Sequence, residues 1–355
     1  MALRAILVGV GGFGRRWVQV LSANPPVEVA GLVDINTAAL GEAAAKLNVA
    51  KECCFGSAEE ALAKVQADLL INVTPPAVHK PIALAAFKAG LHVLTEKPLA
   101  DTPANCRAMV AAASRYRKKL MVSQNYRFAP WARTVRKLID EQVLGHLGSC
   151  SVRFHKRPDF GQSYRVAMKY PLLVDMSIHH FDLMRYCLHA DPVRVQATGW
   201  NPRWSYFRHQ AACHVLLEMT KGVHVTYDGN WVARGQETGW NGDWRIECSE
   251  GAIWVTERNG EMVVELDPGT GRARPPAGTQ AKPTAPVAAQ AGPVPLVPMP
   301  QSGQEHSLSE MVAAISDKRE PETSGKDNLR SLAMVFASVD SIEHRHPVEI
   351  AGYLK

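Results

Sequence analysis

Four groups of side chains in this 355-residue chain have types and spacings that could do chemistry. Gly9-Val10-Gly11-Gly12-Phe13-Gly14 fits G-x-G-x-x-G. In a strand-to-helix turn, Gly9 would allow the tight bend, Gly11 a close approach of backbone to a pyrophosphate, and Gly14 close helix–strand packing. The amides opening the helix would face the diphosphate with a positive dipole end. Asp34, 20 residues after Gly14, is placed to accept from the ribose hydroxyls and to repel a 2′-phosphate. Ile35-Asn36 supply no cation to offset that repulsion, so NAD is expected over NADP. Glu96-Lys97-Pro98 joins a carboxylate to an ammonium at a predicted strand end, where sites of doubly wound sheets lie. Asp175 and His179 are four apart, on one face of a predicted helix, and such a pair can hold a proton acceptor near neutral pH. His180 faces elsewhere and reads as a satisfied structural histidine.

The elements that must position these groups follow from periodicity. Residues 3–8, 27–33, 69–73, 91–94 and 120–123 are short apolar runs that read as buried strands. Helical patterns lie between them, with start signals at Asn36, the Ser57-Ala58-Glu59-Glu60 capping box and Thr102-Pro103. This alternation predicts an α/β fold whose first domain, 1–124, is a doubly wound parallel sheet. From 125 to 355 the texture changes. Helices are expected at 130–142 and 172–188, and consecutive Val-, Trp-, Thr- and Tyr-rich strands between 194 and 266 predict an α+β domain with a large, mostly antiparallel sheet. Residues 268–303 carry nine of the 23 prolines and read as an extended, mobile excursion. Helices are expected again at 308–315 and 328–341, with a last strand at 348–350.

Composition narrows the function classes. With 46% hydrophobic and 21% charged residues the chain is neither disordered nor fibrous. The net charge of +6 is a mild excess, and its densest run (Arg115, Arg117, Lys118, Lys119) closes a predicted helix, where cations complement the dipole. No nucleic-acid partner is expected. Seven cysteines without C-x-x-C spacing argue against a metal site and for a reducing compartment. No run approaches the roughly 18 apolar residues of a membrane span. Arg15-Arg16 is not followed by the apolar stretch of an export signal, so a cytoplasmic location is expected.

Three further segments carry a resemblance. Thr74-Pro75-Pro76 with His79 follows the strand at 69–73, Glu96-Lys97-Pro98 the strand at 91–94, and Asp175-Met176-Ser177-Ile178-His179-His180-Phe181-Asp182 comes later. In this order and spacing the chain resembles the glucose-fructose oxidoreductase/inositol dehydrogenase/rhizopine catabolism (Gfo/Idh/MocA) family over nearly its whole length. The resemblance implies that Lys97, Asp175 and His179 line the substrate pocket and carry catalysis. Gly12, Phe13, Ile35, Thr74, Pro75, His79, Glu96 and Lys97 join the glycines and Asp34 as cofactor residues. Asn125, in the segment entering the second domain, would contact the nicotinamide carboxamide. Arg127 would meet the substrate, or else form a salt bridge between domains.

The implied reaction passes hydride between NAD and a secondary alcohol of a sugar, polyol or derivative. His179 would take the hydroxyl proton, Lys97 would hydrogen-bond the reacting oxygen, and Asp175 would bind a neighbouring hydroxyl. Self-association through the second domain's open sheet, as a homodimer or homotetramer, is implied as well. Two alternatives share the scaffold: a redox-neutral glycosidase or lyase with bound NAD, and a non-catalytic NAD-binding regulator. Intact Lys97, Asp175 and His179 argue against the regulator. Ser177 stands where relatives frequently have glycine, and Lys169 to Val174 lacks the glycines that commonly precede the aspartate. His155, Lys156, Arg157, Arg165 and Lys169 form a basic group before the 172–188 helix, read as solvated loop or, more sharply, as a grip on a substrate carboxylate or phosphate.

Overall fold

A computed structural model describes residues 2–23, 26–269 and 289–354. The chain divides into two compact units, residues 1–128 with 301–332, and residues 129–300 with 333–354.

In the first unit β1 (Leu3–Val8), α1 (Gly14–Ser22), β2 (Val27–Val33), α2 (Thr37–Leu47), β3 (Cys54–Phe55), α3 (Ala58–Lys64), β4 (Leu69–Asn72), α4 (Pro76–Lys88), β5 (His92–Thr95), α5 (Pro103–Arg115) and β6 (Leu120–Val122) alternate. All strand pairs are parallel, in the order β3-β2-β1-β4-β5-β6. The unbroken apolar runs explain this: β4 and β6 are buried at every position, as strands covered by helices on both faces must be. Helix starts fall where the sequence placed them. Asn36 Oδ1 accepts from the amides of Ala38 and Ala39, Ser57 Oγ from Glu60, and Thr102 Oγ1 from Asn105.

Register matters most for the site. Val8 is aligned with Val33 and Asn72, and Asn72 with Thr95. The segments opening at Gly9, Asp34, Val73 and Glu96 therefore leave the carboxyl end of the sheet side by side. They flank the β1–β4 junction, where the strand order reverses and ligands of doubly wound sheets bind.

The second unit opens with α6 (Pro130–Asp140), β7 (Leu147–His155) and α7 (Ile178–Leu188). It continues through β8 (Pro192–Trp200), β9 (Ala212–Met219), β10 (His224–Asn230), β11 (Asp243–Cys248), β12 (Gly251–Arg258), β13 (Glu261–Pro268) and β14 (Gly292–Pro293). The chain then forms α8 (Gly303–Ser316), α9 (Gly325–His344), β15 (Val348–Glu349) and α10 (Ala351–Leu354). A nine-stranded sheet in the order β14-β13-β12-β11-β7-β10-β9-β8-β15 is antiparallel except for the β7–β10 pair. Its strands alternate: in β10, Val225, Tyr227 and Gly229 are buried while His224 and Thr226 are exposed. One face is packed and the other open, as period-2 patterning requires.

The expected second domain, 125–355, is a continuous stretch, whereas the compact units of the structure are not: the first runs to Phe128 and takes in α8 and the start of α9. Local bonds account for this, since Gly303 N–H donates to the Phe128 carbonyl, Thr323 Oγ1 to the Val122 carbonyl, and Arg16 pairs with Glu305 at 2.6 Å. The proline-rich segment is not wholly an excursion. Residues 270–288 lie outside the described residues, but β14 pairs with β13, and the Val297 amide donates to Thr134 Oγ1. Finally, β7 was not expected, although Cys150, Val152 and Phe154 alternate as buried residues along it.

Candidate functional site

In the first unit, Gly9 has φ +90°, and a Cβ there would come within 2.9 Å of Val73 backbone. A Cβ on Gly14 would overlap the Gly9 carbonyl oxygen. Both glycines are thus required by the turn. Gly11 and Gly12 face open space: a Cβ on Gly12 would meet nothing within 4 Å, and one on Gly11 only Asp34 and Ala39. Among the described residues, the amides of Gly12 and Phe13 donate to no protein group. Two spare donors at a helix start, beside an uncrowded backbone, fit the diphosphate of a dinucleotide. Asp34 Oδ2 accepts from the amides of Val10 (2.8 Å) and Gly11 (3.0 Å), and its Oδ1 from Asn36 (2.8 Å). The carboxylate is fixed at the loop's flank with acceptor capacity remaining for a ribose hydroxyl. Ile35 beside it is 92% exposed.

The turn after β5 is held from below. Glu96 is buried; its Oε1 accepts from Trp17 Nε1 at 2.8 Å and its Oε2 from the Lys97 amide at 3.1 Å. Burial raises the Glu96 proton affinity, while the Trp17 and Lys97 partners oppose that shift. His79 has no exposed surface; its Nε2 lies 2.7 Å from the Thr74 carbonyl and its Nδ1 3.1 Å from the Pro98 carbonyl. Burial lowers its pKa. It ties the segment after β4 to the one after β5, while Thr74 Oγ1 donates to Asn72 Oδ1 (2.7 Å) and Pro75 caps α4.

In the second unit, Asp175 lies in a π-helical stretch, Leu172–Ser177, that passes directly into α7, where His179 occupies the first turn. Such wide turns occur frequently at functional sites. Gly229 makes room for this one: a Cβ there would come within 2.8 Å of Leu172 Cδ2. Arg165 grips Asp175 with two bonds, Nε to Oδ2 at 2.7 Å and Nη2 to Oδ1 at 3.3 Å. Ser177 Oγ donates to Tyr227 Oη (3.0 Å), Tyr227 O–H to His180 Nδ1 (3.0 Å), and His180 Nε2–H to the Trp240 carbonyl (2.9 Å). This chain locks the start of α7 onto β10.

Residues 3–124 match the oxidoreductase family with an NAD-binding Rossmann fold, and residues 132–254 the GFO/IDH/MocA C-terminal domain. The chain belongs to the Gfo/Idh/MocA family. It is 30% identical to the uncharacterized protein y4oX of Sinorhizobium fredii, covering 100% of this chain and 98% of that one. It is 25% identical to inositol 2-dehydrogenase of Rhizobium meliloti, covering 99% and 100%. An oxidoreductase of Agrobacterium radiobacter, solved with NAD+, L-tartaric acid and magnesium, shares the fold with a TM-score of 0.83, 21% identity and 99% of both chains covered. This Gfo/Idh/MocA protein is an NAD(P)-dependent oxidoreductase with sugar and polyol dehydrogenases among its relatives.

Within this oxidoreductase several of the expected site residues are buried. His79 and Glu96, expected at the coenzyme, brace the segments after β4 and β5 from the interior. Arg127, expected to meet the substrate or to form a salt bridge between domains, is buried. Its guanidinium, 6% exposed, pairs with Asp327 at 2.7 Å inside the first unit. Asn125, in a single 3-10 turn at 125–127, stays partly exposed. Of the basic group, His155 ends β7 and binds Asp228 (2.9 Å), Lys156 binds Glu237 (3.0 Å), and Arg165 alone reaches Asp175. The braces Trp17, Tyr227 and Trp240 were not foreseen; nothing in their spacing marks a partner so distant in sequence. Among the described residues no His, Cys, Asp and Glu group could hold a metal, all seven cysteines are free, and no helix is long and apolar enough to cross a membrane.

The His180 relay has a consequence for stability. Burial pulls its pKa down from 6.5 to about 4, against the pull of the Trp240 carbonyl. Below pH 6.5 the unfolded chain takes up a proton that the folded chain refuses, so stability falls as pH drops toward 4 and then levels. The loss amounts to roughly 3 kcal/mol. Urea unfolding at pH 7 and pH 4.5 should therefore show a steeper acid loss in wild type than in His180→Asn. Equal losses in the two proteins would exclude a neutral His180.

Proposed function

We propose that this oxidoreductase passes hydride between NAD and a secondary alcohol of a sugar, polyol or sugar derivative. The observation that carries the reading is the D-x-x-x-H pair, set where a π-helical turn enters α7 and held in place by Arg165. Bound NAD would supply the hydride acceptor. Gly11, Gly12 and Phe13 would receive its diphosphate and Asp34 its ribose. Asn125 would contact the carboxamide. His179 would accept the hydroxyl proton as the carbinol C–H hydride departs, leaving a carbonyl. Lys97 would donate a hydrogen bond to the reacting oxygen and favour its alkoxide character, and Asp175 would bind a neighbouring hydroxyl. An absorbance screen for NADH over polyols, sugars and sugar acids, with mass spectrometry of products, tests the reaction. Turnover without net NADH would point to the redox-neutral alternative.

The preference for NAD rests on Asp34. A fixed carboxylate near a 2′-phosphate costs on the order of 3 kcal/mol per charge pair at 5 Å and an effective dielectric of 20. Wild type should thus show kcat/KM at least about tenfold higher with NAD+ than with NADP+, and Asp34→Ser should move that ratio toward NADP+. Faster turnover with NADP+ in wild type would refute the assignment. The open face of the nine-stranded sheet is assigned to self-association as a homodimer or homotetramer, and the protein to the cytoplasm.

A further inference from the structure

We propose that Arg165 is a substrate-specificity residue whose outer edge takes a carboxylate, making the substrate an acidic sugar or polyol acid; this rests on the dehydrogenase reading above. A guanidinium has two forked edges. Asp175 occupies the edge formed by Nε and Nη2. The other edge, Nη1 with the second Nη2 proton, donates to no group among the described residues, and the side chain is 29% exposed.

The guanidinium cannot swing freely. Its central carbon lies 5.3 Å from the Phe160 ring centroid and 4.9 Å from that of Tyr164. Two aromatic contacts and a bidentate carboxylate fix the plane, so the open edge is preorganised for two coplanar oxygens. Tyr164 is itself 63% exposed, leaving an apolar wall beside that edge. A carboxylate supplies the matching oxygens and the opposite charge, whereas hydroxyls of a neutral sugar supply only dipoles.

The surroundings keep the field positive although Asp175 neutralises Arg165. Residues 156–169 carry Lys156, Arg157, Arg165 and Lys169 against the single acid Asp159. Glu237 pairs with Lys156 and accepts from the Arg157 amide. Arg208 is brought alongside by its amide, which donates to the Val166 carbonyl. An anion arriving at Asp175 thus meets a net cationic loop.

Calorimetric titration of the full-length protein with matched pairs, glucose against glucuronate and galactose against galacturonate, tests the inference without needing turnover. At least one acid should bind wild type roughly tenfold or more tightly than its neutral partner. That difference should vanish in Arg165→Met and be partly kept in Arg165→Lys, which retains charge but loses the fork. Thermal melts confirm folding of both variants. No preference for any acid, or a preference that survives Arg165→Met, overturns the proposal and leaves Arg165 as a positioning residue for Asp175. NADH formation, followed in parallel, reports on the dehydrogenase reading separately: acid-selective binding without redox chemistry would sink that reading and keep this one.

Discussion

His179→Ala is expected to lower kcat about 10²–10⁴-fold, the usual contribution of a positioned acid–base group. In the oxidation direction the imidazole accepts the proton lost from the substrate hydroxyl, so the variant must release that proton to water. Coenzyme affinity should change little, because the dinucleotide is assigned to the first unit's loops. The pH profile discriminates further: wild-type kcat/KM should fall below the pKa of this base, and the variant should lose that limb. His180→Asn serves as the neighbouring control. Its loss should appear in stability, since both His180 nitrogens are committed to Tyr227 and the Trp240 carbonyl. Unchanged kcat in His179→Ala would remove the base from the account.

Lys97→Met should cost a similar factor, about 10²–10⁴ in kcat, for a different reason. Its ammonium is assigned to the oxygen on which negative charge grows, a contact that strengthens as the reaction proceeds and is therefore spent on rate rather than on ground-state binding. The KM for substrate should move far less than kcat. Methionine preserves the stem's length and packing, and Glu96 and Trp17 hold the turn through the Lys97 backbone amide, which the substitution leaves in place. Combining Lys97→Met with His179→Ala should cost much less than the product of the single effects, because groups acting on one oxygen fail together. Wild-type turnover in Lys97→Met would reject its role.

Much of this was legible from local signals. Caps at Asn36, Ser57 and Thr102 and the glycine spacing each act within one turn of chain, and each is realised at its predicted place. The buried runs of the first sheet were equally plain, since a parallel strand covered on both faces admits few polar residues. What stayed hidden depends on partners far apart in sequence. Glu96 with Trp17, His180 with Tyr227, and Arg127 with Asp327 are separated by 47 to 200 residues, and no periodicity announces such pairs. The π-helical turn at 172–177 was hidden for the same reason. It depends on the absent side chain at Gly229 on another strand, although a glycine inside a strand is itself a mark of close approach. The return of α8 to the first unit likewise rests on tertiary bonds to Phe128 and Arg16 that composition does not encode.

The most direct test follows the hydrogen itself. Polyols and sugar acids carrying deuterium at the oxidised carbon should yield NADH one mass unit heavier, with the label on the nicotinamide ring, and turnover should slow where hydride transfer limits the rate. Product formed while every coenzyme molecule remains unlabelled, through the whole course of the reaction, would contradict the account.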